Sequence, residues 1–317
     1  MLKIALQMDP IETINIKKDS TFLLGLEAQR RGYELFYYNP KNLSLEGKKL
    51  YATGHFISLY NNADKFVDLK SVEKIDLRTF NIILLRQDPP FDMAYITTTY
   101  FLERLHPKTL VVNNPLSVRS GPEKLLTMDF VDFIPPTLIT SNTDDIISFR
   151  KEHKDIIIKP LYGNGGAGVF HIKSDDENFK VVLEFYGQFF KEPVVVQQYI
   201  PDVRSGDKRI ILINGSAAGA INRIPPMGEV RSNMHIGGLP QATTLTKRDQ
   251  EICEALKPML KKQGLIFTGI DVIGNYLTEI NITSPTGLHE INHFDHVHLE
   301  RILWDSIEEV YTQTRSS

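Results

Sequence analysis

Near the carboxyl end, the segment GIDVIGNYLTEINIT places Asp271 ahead of a Gly274-Asn275 turn and Glu279 and Asn281 behind it. Residues two apart on a strand leave the same face, so Glu279 and Asn281 share one. Two carboxylates and an amide oxygen are hard donors that suit Mg²⁺, which keeps several waters and shares phosphate oxygens with a nucleotide. Acids are disfavoured inside strands, and the neighbours here are mostly apolar, so Asp271 and Glu279 are expected to face a site. An exposed sheet face, the alternative, would alternate with other polar residues.

A matching cation stands at Lys159, which ends the run DIIIK ahead of LYGNGGAGVFHIK. Gly163, Gly165 and Gly168 spell G-x-G-x-x-G, but a dinucleotide turn needs a helix at its third glycine. VFHIK is β-branched and aromatic and reads as a second strand. The acid expected about twenty residues on has only Glu184 as a match, in the middle of a helical stretch. A phosphate loop of Walker type also fails, because no Gly-Lys-Ser/Thr follows. What remains is a glycine-rich hairpin tip. Without Cβ atoms its backbone N–H groups can converge on an anion, and Lys159 would add a point charge. A flexible surface hairpin with a solvated lysine fits the same residues.

Arg86 follows the apolar run NIILL directly, in RQDPPFD (86–92). Open parallel sheets bind ligands beyond the carboxyl ends of their strands, where MDPI (8–11) also falls. Arg86 is therefore either a carboxylate clamp or a surface arginine at a strand end. His289-Glu290-Ile291-Asn292-His293 spells H-E-x-x-H, the zinc-protease pattern on a helix. No metzincin-type extension follows it and it adjoins the acidic pair, so histidines on a connecting helix are the better account.

These residues need elements to place them. Residues 1 to about 120 alternate strand and helix: LKIALQM, YELFYY, FNIILLR and TLVVNN are strand candidates, and Asp19 or Ser20 caps a helix through GLEAQRRG that Gly32 closes. The alternation predicts an open, mostly parallel sheet. VNNPLSVRSGPEKL (112–125) is rich in turn formers and marks a boundary. Strands are expected near 156–160, 168–173 and 194–198, with a helix in DENFKVVLEFYGQFF. DKRIILING and SAAGAINRI pair across an Asn214-Gly215 turn. Residues 223–243 read as one long Gly/Pro/polar loop, of the kind that forms lids. A helix in KRDQEICEALKPMLKKQG is kinked or split at Pro258. The expected class is α/β (α+β), in three parts: 1–121, 122–200 and 201–317.

The 317 residues carry 36 Lys and Arg against 39 Asp and Glu, a net charge of -3, so nothing favours a nucleic-acid partner. One cysteine, Cys253, allows no internal disulfide and fits a reducing cytoplasm. No signal peptide or membrane span is expected, and no Ser-His-Asp or Cys-His pattern offers a nucleophile.

Taken together, Lys124, the strand ending in Lys159 before the glycine hairpin, QQYIP, DKR and D-x7-E-x-N resemble the ATP-grasp fold. MDPI…NIKKDS, LEAQRRGYEL, RQDPPFD, DKR, KKQGLIF and LTEINITSPT extend the likeness along nearly the whole chain, to the bacterial glutathione synthetase family. The resemblance implies an N-terminal Rossmann-like, pre-ATP-grasp domain followed by two ATP-grasp subdomains. It implies that Lys124 and Lys159 contact the phosphates of ATP, with Gly163, Asn164, Gly165, Gly166 and Ala167 folding over them. Gln198, Tyr199 and Ile200 would line the adenine slot, with Asp207 near the ribose. Asp271, Glu279 and Asn281 would hold Mg²⁺ or Mn²⁺. Arg86, Arg209 and Arg223 would engage γ-glutamylcysteine, the reacting carboxylate or the phosphoryl group, with Ser284, Pro285 and Thr286 nearby. Residues 224 to about 240 would be a mobile flap, glycine the second substrate, and the assembly a homo-oligomer. Two positions depart from the family's pattern: the flap ends Gly237-Gly238-Leu239 where relatives often have Gly-Gly-Arg, and Tyr162 stands where an acid precedes the glycine loop. Other ligases of the fold, such as D-alanine–D-alanine ligase or a glutamate ligase acting on a protein tail, lack the MDPI and RQDPPFD segments. A synapsin-type module that binds ATP without turnover is the other alternative.

Overall fold

The computed structural model describes residues 1–229, 231–234 and 237–316. Its first sheet is built on four parallel strands, β1 (Lys3–Gln7), β2 (Glu34–Tyr38), β6 (Ile82–Leu85) and β7 (Leu110–Val112), ordered β2-β1-β6-β7. β3 (Leu43–Glu46), β4 (Lys49–Leu59) and β5 (Val67–Asp76) extend its β2 edge antiparallel. The expected parallel core is present; the antiparallel wing was not anticipated. α1 (Ser20–Arg30) and α2 (Met93–Glu103) lie between the strands, and α3 (Pro115–Ser120) follows the last of them. The Asp19 carboxylate accepts the Phe22 N–H and so starts α1, as the sequence predicts.

The second sheet, ordered β10-β9-β11-β8, comprises β8 (Thr137–Thr140), β9 (Ile156–Pro160), β10 (Phe170–Ile172) and β11 (Val194–Gln198), with α4 (Thr143–His153) and α5 (Phe179–Phe189). The third, ordered β14-β13-β12-β15-β16, comprises β12 (Asp207–Ile213), β13 (Ser216–Ile224), β14 (Leu239–Ala242), β15 (Phe267–Ile273) and β16 (Tyr276–Asn281). α6 (Lys247–Lys262), α7 (Leu288–Asp295) and α8 (Leu299–Ser316) cover it. Two sequence expectations change here. Pro258 lies inside an unbroken α6, and the end of the 223–243 stretch is a strand, because β14 pairs with β13 from Ile224↔Leu239 to Ile221↔Ala242.

Strand alternation fills the interior. In β1, Ala5 packs with α2 and α3, while Ile4 and Leu6 pack with α1 and α8, where Trp304 donates its indole N–H to the Leu24 carbonyl at 2.8 Å. In β12, Ile210 and Leu212 pack against α6, and Ile211 and Ile213 against α7 and α8. The first and third sheets thus share continuous cores. Cys253 is buried on α6 in the first of them. The buried Asn113 joins the two sheets: its amide donates to the carbonyls of Phe267 (2.7 Å) and Ile282 (2.9 Å) and accepts the Phe267 N–H (2.8 Å). The second sheet has a core of its own, formed by Ile146, Ile156, Ile158, Phe179, Val182, Tyr186 and Val196 among others.

Candidate active site

A cleft of about 850 Å³ lies where the three sheets meet, and every site residue named from the sequence lines it. On its floor runs a row of charge set by strand register. Arg209 stands opposite Asp271, and Asp271 opposite Glu279, with a bulge after Asp271. Cross-strand partners are near neighbours, and bulges re-aim side chains beside active sites. Two residues along, Asp207 stands opposite Arg223.

Asp271 is gripped from both sides. Arg209 reaches it with Nε at 2.5 Å and Nη2 at 2.9 Å, and Arg223 with Nη2 at 3.0 Å. Burial pushes its carboxyl up, but the two guanidiniums outweigh burial and hold it well below the usual range. Asn281 donates its amide to Asp271 at 3.3 Å. Arg223 also holds Asp207 at 2.6 Å, where burial raises the carboxyl against that pull. Asp207 is thus an interior counter-ion of Arg223 as well as part of the wall.

Glu279 faces the two lysines, with Oε1 3.6 Å from Lys124 Nζ and 3.7 Å from Lys159 Nζ. Burial raises its carboxyl, and the two ammoniums bring it below its ordinary value. Burial lowers Lys159, whereas Lys124 is raised, because Glu279 and Glu123 outweigh its burial. Two buried ammoniums share Glu279, and Lys124 also has Glu123 at 3.8 Å, so both lysines are held in place facing the cleft, where the oxygens of a polyanion could meet them.

Lys124 also donates to the Gly163 carbonyl at 2.7 Å, so the loop between β9 and β10 is held at its first glycine. Gly165, Gly166 and Gly168 have φ values of 62°, 79° and 69°, the left-handed region that glycine enters without strain. From the other side, Arg231 donates to the Gly166 carbonyl at 3.2 Å and the Ser232 hydroxyl to Asp207 at 2.6 Å. The 224–240 segment therefore touches the loop through Arg231. Leu239 is 64% exposed and takes part only through β14 pairing. Residues 230, 235 and 236 of this segment lie outside the described residues.

At the positions expected to line the adenine slot, the Gln198 and Tyr199 N–H groups bond to the Pro136 and Asp155 carbonyls at 3.0 and 2.9 Å. The Tyr199 ring stacks on His171, centroids 3.9 Å apart. At the opposite end, Arg86 is buried, with Nε to the Thr21 hydroxyl at 3.0 Å and Nη2 to the Pro285 carbonyl at 2.9 Å. Among the described residues no carboxylate lies within ion-pair distance of it. Ser284 donates to the Gln87 carbonyl at 2.8 Å, and Arg209 reaches the Thr286 carbonyl at 3.4 Å. Segment 284–286 thus positions both arginines through its backbone.

Sequence reasoning missed Glu123, whose carboxyl accepts from the Thr283 hydroxyl at 3.0 Å and is raised by burial. It missed Ser20, whose buried hydroxyl has no partner beside Arg86's partner Thr21. The signal for Glu123 was its place beside Lys124. The H-E-x-x-H histidines do other work: His289 bonds the Asp19 carbonyl at 3.0 Å, and His293 is exposed beside Phe294. Among the described residues no three His, Cys, Asp or Glu side chains gather as metal ligands. No helix among them is long and apolar enough to cross a membrane.

The arrangement is that of an ATP-grasp ligase. Solved structures of the same fold include D-cycloserine synthetase DcsG, with a TM-score of 0.68, 14% identity and coverage of 98% of this chain and 99% of that one. Another is the ATP-grasp ligase PsnB, in complex with a precursor variant, Mg and ADP, with a TM-score of 0.61, 16% identity and coverage of 98% of each chain. Family models for the N-terminal domain and the ATP-grasp domain of prokaryotic glutathione synthetase match residues 2–119 and 123–296. The glutathione synthetase of Agrobacterium fabrum is 54% identical over 96% of both chains, and that of Escherichia coli O6:H1 is 43% identical over 97% of this chain and 98% of its own. The chain belongs to the prokaryotic glutathione synthetase family and is an ATP-dependent carboxylate–amine ligase.

Proposed function

We propose that the cleft joins γ-L-glutamyl-L-cysteine to glycine at the expense of ATP, giving glutathione, ADP and phosphate. One observation carries this reading: buried Lys124 and Lys159, both paired with the half-buried Glu279, and the buried Arg86, Arg209 and Arg223 line the same cleft. One end suits a triphosphate and the other a carboxylate substrate.

A carboxylate does not condense with an amine in water, because an oxide equivalent is a poor leaving group. Transfer of the γ-phosphoryl group to the cysteinyl carboxylate forms a C–O–P link and breaks the bond to the β-phosphate oxygen, releasing ADP. The glycine amine then attacks the acyl carbon, phosphate leaves, and the amine gives up a proton. No side-chain nucleophile is needed, and positioning with charge neutralisation accounts for the catalysis. Lys124 and Lys159 neutralise phosphate oxygens, and Arg209 and Arg223 hold charge at the reacting carboxylate. Arg86, with the Ser20 and Thr21 hydroxyls beside it, takes a carboxylate of the dipeptide. The Ile200 N–H is the adenine-slot donor, since the Gln198 and Tyr199 N–H groups are already bonded to the Pro136 and Asp155 carbonyls. Gly163 to Ala167 and the 224–240 flap close over the site to keep water from the acyl phosphate.

Asp271, Glu279 and Asn281 fit a hard divalent cation, for the first two are opposed across adjacent strands and the third is two residues along. They would hold Mg²⁺ or Mn²⁺, which would neutralise phosphate charge. Parts 1–121, 122–200 and 201–317 act as dipeptide domain, lid and metal-bearing domain. A reducing cytoplasmic setting suits the lone buried thiol, and the family likeness supports a homo-oligomer. The test is phosphate release by the purified protein: it should require both γ-glutamylcysteine and glycine and match glutathione formed one for one. Release with ATP alone, or with D-alanine, would remove the assignment.

A further inference from the structure

Tyr162 sits one residue before the glycine loop, and its ring lies against Phe91 of the 86–92 loop, centroids 6.2 Å apart and planes within 20°. Phe91 is fixed from behind by Tyr95 on α2, at 5.3 Å. The contact crosses between sheets: Tyr162 follows β9 of the second, and Phe91 follows β6 of the first. A tyrosine in a loop tip is ordinarily left in water, and this one is 41% exposed. Among the described residues its hydroxyl bonds to nothing, so the ring alone makes the contact.

What the two loops carry gives the contact a consequence. The 86–92 loop begins at Arg86 and is pinned through Ser284 to the Gln87 carbonyl (2.8 Å) and through the Asp88 N–H to Asp9 (2.8 Å). Arg86, Asp88 and Pro89 all line the dipeptide end of the cleft. On the other side, the carbonyl of Gly163, next to Tyr162, takes the Lys124 ammonium. Lys124 in turn faces Glu279. A small gap bounded by Pro89, Phe91, Tyr162, Gly163 and Asn164 lies between the two loops, so they meet at the ring pair rather than along their length.

We infer that Tyr162 is a positioning residue: stacked on Phe91, it ties the 163–167 loop to the loop that carries Arg86, so that the lid sets over ATP in step with the dipeptide. The inference rests on the ligase reading above. An aromatic pair of this kind biases an open–closed equilibrium by roughly 2- to 12-fold, enough to change coupling without abolishing turnover.

The experiment compares Tyr162→Ala, Tyr162→Phe, Phe91→Ala and the double alanine variant for KM, kcat and phosphate released per glutathione. Tyr162→Ala should raise KM for ATP about 2- to 12-fold and release phosphate in excess of glutathione, through hydrolysis of an unprotected acyl phosphate. Tyr162→Phe should restore both, Phe91→Ala should reproduce the defect, and the double variant should be no worse than the worse single. Unchanged KM and ratio in Tyr162→Ala, no rescue by phenylalanine, or additive losses in the double variant would overturn it. A wild-type protein that released phosphate without forming glutathione would instead count against the ligase reading, and the two failures are thereby distinguished.

Discussion

Lys159 Nζ and Glu279 Oε1 lie 3.7 Å apart, although the lysine belongs to β9 of the second sheet and the glutamate to β16 of the third. The pair spans the boundary between the second and third sheets, and Lys124 closes the same triangle at 3.6 Å from Glu279. Removing the carboxylate leaves the two buried ammoniums without the partner they share and would take a ligand from the proposed cation. Glu279→Ala is therefore expected to lose roughly 10²-fold or more of its Mg-dependent turnover while keeping its circular dichroism. Unaltered saturation by Mg²⁺ in the folded variant would end the metal assignment.

Asn113→Ala should destabilise the whole molecule. It strands the Phe267 N–H and two carbonyls in the interior between the first and third sheets. Orphaned buried backbone groups cost about 1–3 kcal/mol each, partly recovered by relaxation or water, so a loss of about 2–4 kcal/mol is expected in urea unfolding. A loss under about 1 kcal/mol would mean that the two sheets do not depend on this amide.

Glu27 supplies a pH signature away from the cleft. Its carboxylate on α1 is hydrogen-bonded by Arg30 and Arg31, which together bring it from 4.5 down to about 2 against the effect of burial. Because the folded value is depressed, its stabilisation is complete above 4.5 and disappears as pH falls through about 2. Glu27→Gln should cost on the order of 1 kcal/mol at pH 7, and the gap to wild type should narrow below pH 4.5. A gap that stays constant down to pH 2.5, about where the native carboxylate begins to protonate, would contradict it.

Gly238 tests the flap. A Cβ there would sit 1.8 Å from the Ser232 carbonyl oxygen, so alanine must push the 231–234 segment away. Ser232 holds Asp207 and Arg231 holds the Gly166 carbonyl. Gly238→Ala should therefore raise ATP hydrolysis relative to ligation, and so should proteolytic cutting near Gly228. An unaltered ratio in both would show that the segment does not shield the reaction.

Much of this was legible before any coordinates, for physical reasons. Asp271 and Glu279 were conspicuous because acids inside apolar strand runs need a reason to be there, and the Asn214-Gly215 and Gly274-Asn275 turns fixed the strands around them. The glycine loop read as a hairpin because VFHIK cannot start a helix. What stayed hidden depends on contacts distant in sequence. β5 is largely exposed and β3 half-buried, and neither has a clean apolar alternation; β4 does alternate, burying Leu50, Ala52, Ile57 and Leu59, but its run KLYATGHFISL carries small and polar residues that mask the period. β8 is half-buried throughout. The grip of Arg209 and Arg223 on Asp271 follows from strand order, which no local pattern specifies. Pro258 does not split α6, because its missing N–H removes one bond and a helix anchored by the buried Ile252, Leu256 and Leu260 absorbs that loss.

Cys253 bears on what the enzyme makes. Its product is a thiol that cells cycle to the disulfide, and any accessible thiolate on the catalyst would be open to capture as a mixed disulfide. The chain's only sulfhydryl is 3% exposed under α6, and burial pushes it up to about 12, so almost none of it is ionised at neutral pH. The enzyme therefore offers the oxidised form of its own product no accessible thiolate to capture, and that one route of inactivation is closed.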